Sequence, residues 1–342
     1  MLTLDMMQNI ELTRVPWGQI CTAAAFLMPN YNLPGRQVEI TIEGADRIPE
    51  TGRVILAMNH TDRFNYWPLQ YRLWRREESI YTATWVKGKY FNNPIMAKFM
   101  AATNNIPTPS RGYLITADAA NVLGRPPASE TYRLIRDALD APERDMDALR
   151  ARAKDENILE EFEALLTTPR DMLGRRFQPD REDFFLAMHL LFSAMMDAFV
   201  SLNDRAFALG HKVIVFPEGT RSLKLAKGRP GLAQMALKMG ATIVPIGCNG
   251  SDDIYPGDSP VALPGHVTYR VGEPLTPEGA LAEFQLDQDF TPFTQEAERA
   301  HGDVFAAVTD LLMARLAELL DERYLAGGEG ETTEVKGADR FL

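Results

Sequence analysis

Two short apolar runs, far apart in the chain, each end in a cluster of polar and ionisable residues. Val54-Ile55-Leu56-Ala57-Met58 is five apolar residues in a row and runs directly into Asn59-His60-Thr61-Asp62-Arg63-Phe64-Asn65. Val213-Ile214-Val215-Phe216 runs into Pro217-Glu218-Gly219-Thr220-Arg221-Ser222. Uninterrupted apolar runs of this length read as strands buried on both faces. Open α/β sheets place their ligand crevices beyond the carboxyl ends of such strands. The pattern therefore implies one site assembled from two distant segments.

The intervening sequence supplies an α/β alternation. Val38, Ile40 and Ile42 alternate as a half-buried strand, and Gly44 to Gly52 is a turn-rich link. Residues 68–76 have helical spacing, 80–86 are β-like and lead into Lys87-Gly88-Lys89, and Asn93-Pro94 opens a helix through Ala102. Ile106 to Gly112 reads as a loop carrying Arg111. Thr242 to Ile246 and Val267 to Val271 are further strands, with a helix over 232–239 that stops at Gly240. Residues 293–324 form a long amphipathic helix. Between the strands lies a block at about 113–209 with dense charges at helical spacing and a Phe- and Met-rich face over 184–199, which reads as an all-helical insertion. That face is either packed core or a wall adapted to an acyl chain. The expected fold class is α/β, a mixed sheet flanked by helices, with strands on both sides of the insertion.

Composition narrows the functional classes. The net charge of -11 argues against nucleic acid as a partner, although Arg72, Arg75 and Arg76 form a local basic patch. Cys21 and Cys248 are the only cysteines and lie far apart, so neither a disulfide framework nor a Cys-based metal site is expected. No basic n-region or cleavage site of a secretory signal is read at the start of the chain. Residues 10–28 and 184–202 are apolar but fall short of a spanning helix, leaving buried core helices and interfacial membrane helices as the two readings. The segment from Gly327 is rich in Gly, Glu and Thr and is expected to be disordered.

His60, at a strand end, is either a structural histidine or a general base. Asn59, Asp62 and Asn65 are close enough in sequence to orient it. Glu218 to Arg221 is either a turn with a surface arginine or an anion site, since glycine admits close backbone approach and arginine forks onto phosphate oxygens. His60-Thr61-Asp62 also has a metal-ligand spacing, but no further ligand cluster accompanies it.

Together, Asn59-His60 with a polar residue five positions after the histidine, Phe216-Pro217-Glu218-Gly219-Thr220-Arg221-Ser222, and Val244-Pro245-Ile246 resemble the glycerolipid acyltransferase superfamily, the 1-acylglycerol-3-phosphate acyltransferase type of enzyme. The resemblance covers about residues 37–112 and 206–275, and Lys227-Gly228 and Arg111 fit it as well. It departs from the family at one chemically important place. Where the family has His, four residues, then Asp, this chain has Asn65, and Asp62 is only two residues from His60.

The resemblance implies an N-terminal helical segment (1–36) at a membrane interface, an acyltransferase α/β domain (37–325) and a tail (326–342). It implies transfer of a fatty acyl group from acyl-CoA or acyl carrier protein to a hydroxyl of a lysophospholipid or glycerol-phosphate acceptor, without a cofactor or metal. His60 would be the base with Asn65 as its partner. Arg111, Glu218, Gly219, Thr220 and Arg221 would bind substrate. The expected location is the cytoplasmic face of a membrane, held peripherally. An attenuated or non-catalytic lipid-binding relative is the alternative that Asn65 raises.

Overall fold

The computed structural model describes residues 1–35, 37–141, 143–325 and 341. The tail expected to be disordered falls outside these residues, except Phe341. Among the described residues, nine strands occur in chain order: β1 (Val38–Glu43), β2 (Val54–Met58), β3 (Thr82–Lys87), β4 (Asn105–Thr108), β5 (Arg170–Met172), β6 (Arg175–Phe177), β7 (Lys212–Val215), β8 (Thr242–Asn249) and β9 (Gly265–Val271). Seven of them form one mixed sheet in the order β1-β9-β8-β2-β7-β3-β4. The run from β8 to β4 is parallel, β9 is antiparallel to β8, and β1 is parallel to β9.

The strand that ends at His60 lies inside the sheet. All five residues of β2 are buried, as expected of a strand with neighbours on both edges and helices on both faces. Because β8, β2, β7 and β3 are parallel, their carboxyl ends share one edge. That edge gathers Cys248-Asn249, Asn59-His60, Phe216 and Lys87 from four separate parts of the sequence.

Two sequence expectations need amendment. The first residues of the stretch read as a loop, 106–108, belong instead to the edge strand β4, which pairs with β3 through Val86 and Pro107. An edge position tolerates proline because one side of the strand needs no ladder N–H. The insertion is helical except for the antiparallel hairpin β5–β6. That hairpin is tied to the Arg111–Leu123 helix by a buried ion pair. Arg170 Nε and Nη2 donate to the two Asp118 oxygens at 2.8 and 2.5 Å, and the guanidinium lies over the Phe177 ring.

The Phe184–Ala208 helix is long and apolar enough to cross a membrane by length and composition. Here Phe185, Met195, Phe199 and Leu202 on it are fully enclosed, and Asn203 accepts a 2.7 Å hydrogen bond from Trp85 Nε1 on β3. Its Phe and Met face is therefore core. The start of the chain is also built into this core. Leu2 and Met7 are fully buried, the Leu2 N–H donates to Tyr113 Oη, and the Leu4 N–H donates to the Leu173 carbonyl.

Breaking the Asp118–Arg170 pair from one side leaves a buried, uncompensated charge. Asp118→Ala should cost about 3–5 kcal/mol in urea unfolding, and an apolar replacement of both partners should recover most of it. A loss within experimental error would show that the pair does not hold the hairpin in place.

Candidate functional site

The chain turns sharply after β2, and two asparagines fix the turn. The Asn59 side-chain amide pairs with the backbone of Cys248 on β8, donating to its carbonyl at 3.1 Å and accepting from its N–H at 2.7 Å. The Asn59 carbonyl accepts from Asn65 Nδ2 at 2.7 Å, and the Asn65 carbonyl accepts from Tyr269 Oη at 2.6 Å. Asn65 is fully buried. Its amide orientation is thereby settled, because the reverse would place two oxygens 2.7 Å apart.

Asn65 Oδ1 then faces His60 Nδ1 at 3.2 Å. An amide oxygen only accepts, so Nδ1 carries the proton and the Nε2 lone pair is left for another partner. His60 is half-buried, and its imidazole stacks on Phe216, with ring centroids 4.0 Å apart and planes 16° apart. Burial pulls the His60 pKa down to about 3, against the Asn65 bond, which raises it; the charges of Arg221 and Lys87 lower it further. The ring is therefore neutral at physiological pH and a weak proton acceptor in the absence of ligand.

The second cluster crosses the first through reciprocal bonds. The Glu218 carboxylate accepts from the His60 N–H at 2.8 Å and the Ala226 N–H at 2.7 Å, and the Ser222 N–H donates to the His60 carbonyl at 2.8 Å. Gly219 has φ +71, a left-handed conformation that glycine adopts without strain. Glu218 is fully enclosed, with both oxygens held by backbone amides. The structure thus places it beneath the site as a clamp between two loops, whereas the sequence suggested an acceptor-lining carboxylate. Burial pushes its pKa up to about 7, against the two backbone bonds.

Gly219 is exposed, and Thr220 and Arg221 are half-buried. No helix begins after Thr220; the next starts at Gly231, so helix N-terminal amides do not contribute to an anion site here. Positive charge comes instead from side chains. Arg221 and Lys87 both act electrostatically on His60. Arg63 and Arg221 share one exposed carboxylate, Asp258, at 3.6 and 3.9 Å. Exposed pairs of this length neutralise little. Arg111 is engaged elsewhere. It pairs with Asp140 at 2.6 Å, donates to the Phe293 carbonyl and lies over the Phe192 ring, beyond the edge strand β4.

Asp62 does not replace the missing carboxylate. It accepts from the Phe64 N–H and the Thr61 hydroxyl, and burial pushes its pKa up to about 6. Among the described residues, no group of three or more His, Cys, Asp and Glu side chains is arranged to hold a metal ion. Sequence reasoning missed Phe216 as the ring supporting His60 and Lys87 as its charged neighbour. Lys87 was visible only as the first residue of a basic loop after β3.

The model of the Acyltransferase family matches residues 193–249. This segment contains β7, the Glu218 to Arg221 block and β8, which bears out the family resemblance drawn from that block. His60 lies outside it. Among solved structures, the chain is similar to the 1-acyl-sn-glycerophosphate (LPA) acyltransferase PlsC from Thermotoga maritima, at 15% identity and a TM-score of 0.36, over 91% of this chain and 80% of that one. No curated protein matches the chain.

The Glu218 clamp has a signed pH dependence. Its folded pKa of about 7 lies above the ordinary 4.5, so folding favours the protonated acid. That contribution is complete below pH 4.5 and is lost as pH rises through 7, by about 3 kcal/mol. Glu218→Gln cannot titrate, and its amide N–H₂ must face one of the two backbone N–H donors. The variant should be less stable at low pH than the parent and lack this slope in urea midpoints across the range. A pH-dependent difference of zero would contradict the buried clamp.

Proposed function

We propose that the chain is an acyltransferase that moves a fatty acyl group from a thioester, acyl-CoA or an acyl carrier protein, to a hydroxyl of a lysophospholipid or glycerol-phosphate-type acceptor. The supporting observation is the Asn59–Asn65–His60 chain of hydrogen bonds, which leaves the Nε2 lone pair of His60 as the proton acceptor at the carboxyl edge of the sheet. In this reading His60 Nε2 takes the hydroxyl proton as the acceptor oxygen attacks the thioester carbonyl. The tetrahedral intermediate collapses by breaking the carbon–sulfur bond. The imidazolium proton passes to the departing thiolate, so the products are an oxygen ester and a free thiol, and His60 is again neutral.

Arg221 and Lys87 suit an acceptor that carries phosphate. Their charges help hold the His60 pKa low. An anionic phosphate bound beside them would offset that effect and raise the proton affinity of the base when the acceptor is present. Asn65 keeps the tautomer but cannot stabilise the imidazolium as a carboxylate would. That same contact favours a second reading, a lipid- or acyl-carrier-binding relative without turnover. The two readings separate on whether any thioester and hydroxyl acceptor yield product. Membrane attachment, at the cytoplasmic face and peripheral, belongs to this proposal because the implied acceptors are amphiphiles.

The test is acyl transfer with a panel of thioesters and lysolipid or glycerol-phosphate acceptors. His60→Ala should lower turnover by ~10²-fold or more. Near-parent turnover by this variant would rule out His60 as the base. In the parent, kcat/KM should show no acid limb from His60 between about pH 5 and 8, whereas Asn65→Asp should bring one into that window because a carboxylate raises the imidazole pKa. An identical pH profile in the two proteins would contradict the proposed contact.

A further inference from the structure

We propose that a cleft at the amino-terminal edge of the sheet binds a phosphate monoester through Lys212 and Arg14. The cleft has a volume of about 580 Å³, enough for a small organic ligand, and its walls include Arg14, Glu50, Arg53, Asp204, Phe207 and Lys212. Arg53 directly precedes β2, and Lys212 is the first residue of β7, the parallel neighbour of β2. His60 follows the other end of β2. The five residues of that strand separate the two ends by about 17 Å, so a small ligand in the cleft does not reach the imidazole. The cleft is a second site, and nothing in the proposed acyl transfer uses it.

Packing alone does not account for Lys212. It is 1% exposed, and its Nζ donates a single hydrogen bond, to the Glu50 carbonyl at 2.8 Å. An ammonium has three donors, and buried lysines are ordinarily paired with an acid. Among the described residues, no carboxylate forms an ion pair with Lys212. Burial pulls its pKa below the usual lysine value, against the exposed Glu50 carboxylate, which raises it from further away. Nor does Lys212 cap the Phe184–Ala208 helix, which ends beside the cleft. The carbonyls of Arg205, Ala206 and Phe207 already accept from the N–H groups of Leu209, His211 and Gly210.

Arg14 supplies the second free charge. The residue before it is pinned by side chains: the Thr13 N–H donates to Asn104 Oδ1 at 3.2 Å, and the Thr13 carbonyl accepts from Asn104 Nδ2 at 2.8 Å and His211 Nε2 at 2.9 Å. Asn104 and His211 are buried, and His211 directly precedes Lys212. One buried network thus brings Arg14 and Lys212 to the same cleft. Among the described residues, the Arg14 guanidinium has no hydrogen-bond or ion-pair partner. Arg53, by contrast, is engaged by Asp204 and by the Met239 carbonyl, both at 2.7 Å.

Two unpaired positive charges match one dianion. A phosphate monoester carries close to two negative charges at neutral pH and offers three oxygens to lysine and arginine donors, whereas a carboxylate would leave one charge uncompensated. The apolar stretch Phe207, Ala208 and Leu209 forms another part of the wall and suits the organic part of an ester, which inorganic phosphate lacks. The acids at the cleft, Glu50 and Asp204, disfavour a ligand of higher charge such as a polyphosphate.

The test is isothermal titration calorimetry of the full chain, without acyl donor or acceptor, using phenyl phosphate, inorganic phosphate and benzoate. The parent should bind phenyl phosphate about tenfold or more tightly than benzoate, which has the same ring but one charge, and more tightly than inorganic phosphate. Arg14→Ala and Lys212→Met should each weaken phenyl phosphate binding by about tenfold or more, while Arg221→Ala leaves it unchanged. Arg14 is exposed, so Arg14→Ala keeps the proposal testable should Lys212→Met fail to fold. No binding by the parent, benzoate or inorganic phosphate binding as tightly as phenyl phosphate, or unchanged affinity in either cleft variant would overturn the proposal. So would loss of binding in Arg221→Ala, since the ligand would then sit at the edge of the sheet that carries His60.

Discussion

The hydrogen bond from Asn65 Nδ2 to the Asn59 carbonyl determines what His60 can do. Everything downstream of that bond is a matter of orientation. With the nitrogen committed, the oxygen of the same amide must face the imidazole, Nδ1 must be the protonated nitrogen, and Nε2 is left with its lone pair. The bond is buried and backed by Tyr269 Oη on the Asn65 carbonyl and by the Asn59 pairing with β8. The imidazole is therefore positioned by the sheet itself. A neutral amide gives the geometry of a base–orienter pair while omitting its charge.

The electrostatics follow from that omission. Burial, Arg221 and Lys87 all disfavour the imidazolium, and only the Asn65 oxygen opposes them. The site therefore combines an oriented imidazole of low proton affinity with nearby positive charge, the arrangement on which the proposal of an anionic acceptor rests. Glu218 contributes from below. By holding the His60 and Ala226 amides it locks the turn after β2 to the loop after β7, two segments 158 residues apart at the first contact. The backbone of His60 is thus clamped by Glu218 and Ser222 while its ring is held separately by Asn65 and Phe216.

Much of this was legible in the sequence, and the exceptions have physical causes. Strands β2, β7 and β8 were readable because strands buried on both faces appear as uninterrupted apolar runs. The convergence of His60 with the Glu218 block was readable because both follow such runs. Strand β4 was not, since Pro107 argues against any strand except one at an edge, and edge status depends on topology. The β5–β6 hairpin was hidden because Arg170, Arg175 and Arg176 look like helix-surface charge; the partner that draws Arg170 inward, Asp118, is 52 residues away. Glu218 was recognised as important but given a ligand-facing role, because a motif carboxylate carries no sign that backbone amides will take both of its oxygens. Arg111 was expected to bind substrate through the family resemblance alone, while the fold pairs it with Asp140 and Phe293.

The most direct measurement is the ¹⁵N chemical shift of the His60 ring nitrogens through a pH titration of the ligand-free protein. The expected result is a protonated Nδ1 and an unprotonated Nε2, persisting as pH falls until a midpoint near the low value of about 3. An Nε2–H tautomer, or a midpoint near the ordinary histidine value of about 6.5, would contradict the orientation and environment assigned to His60.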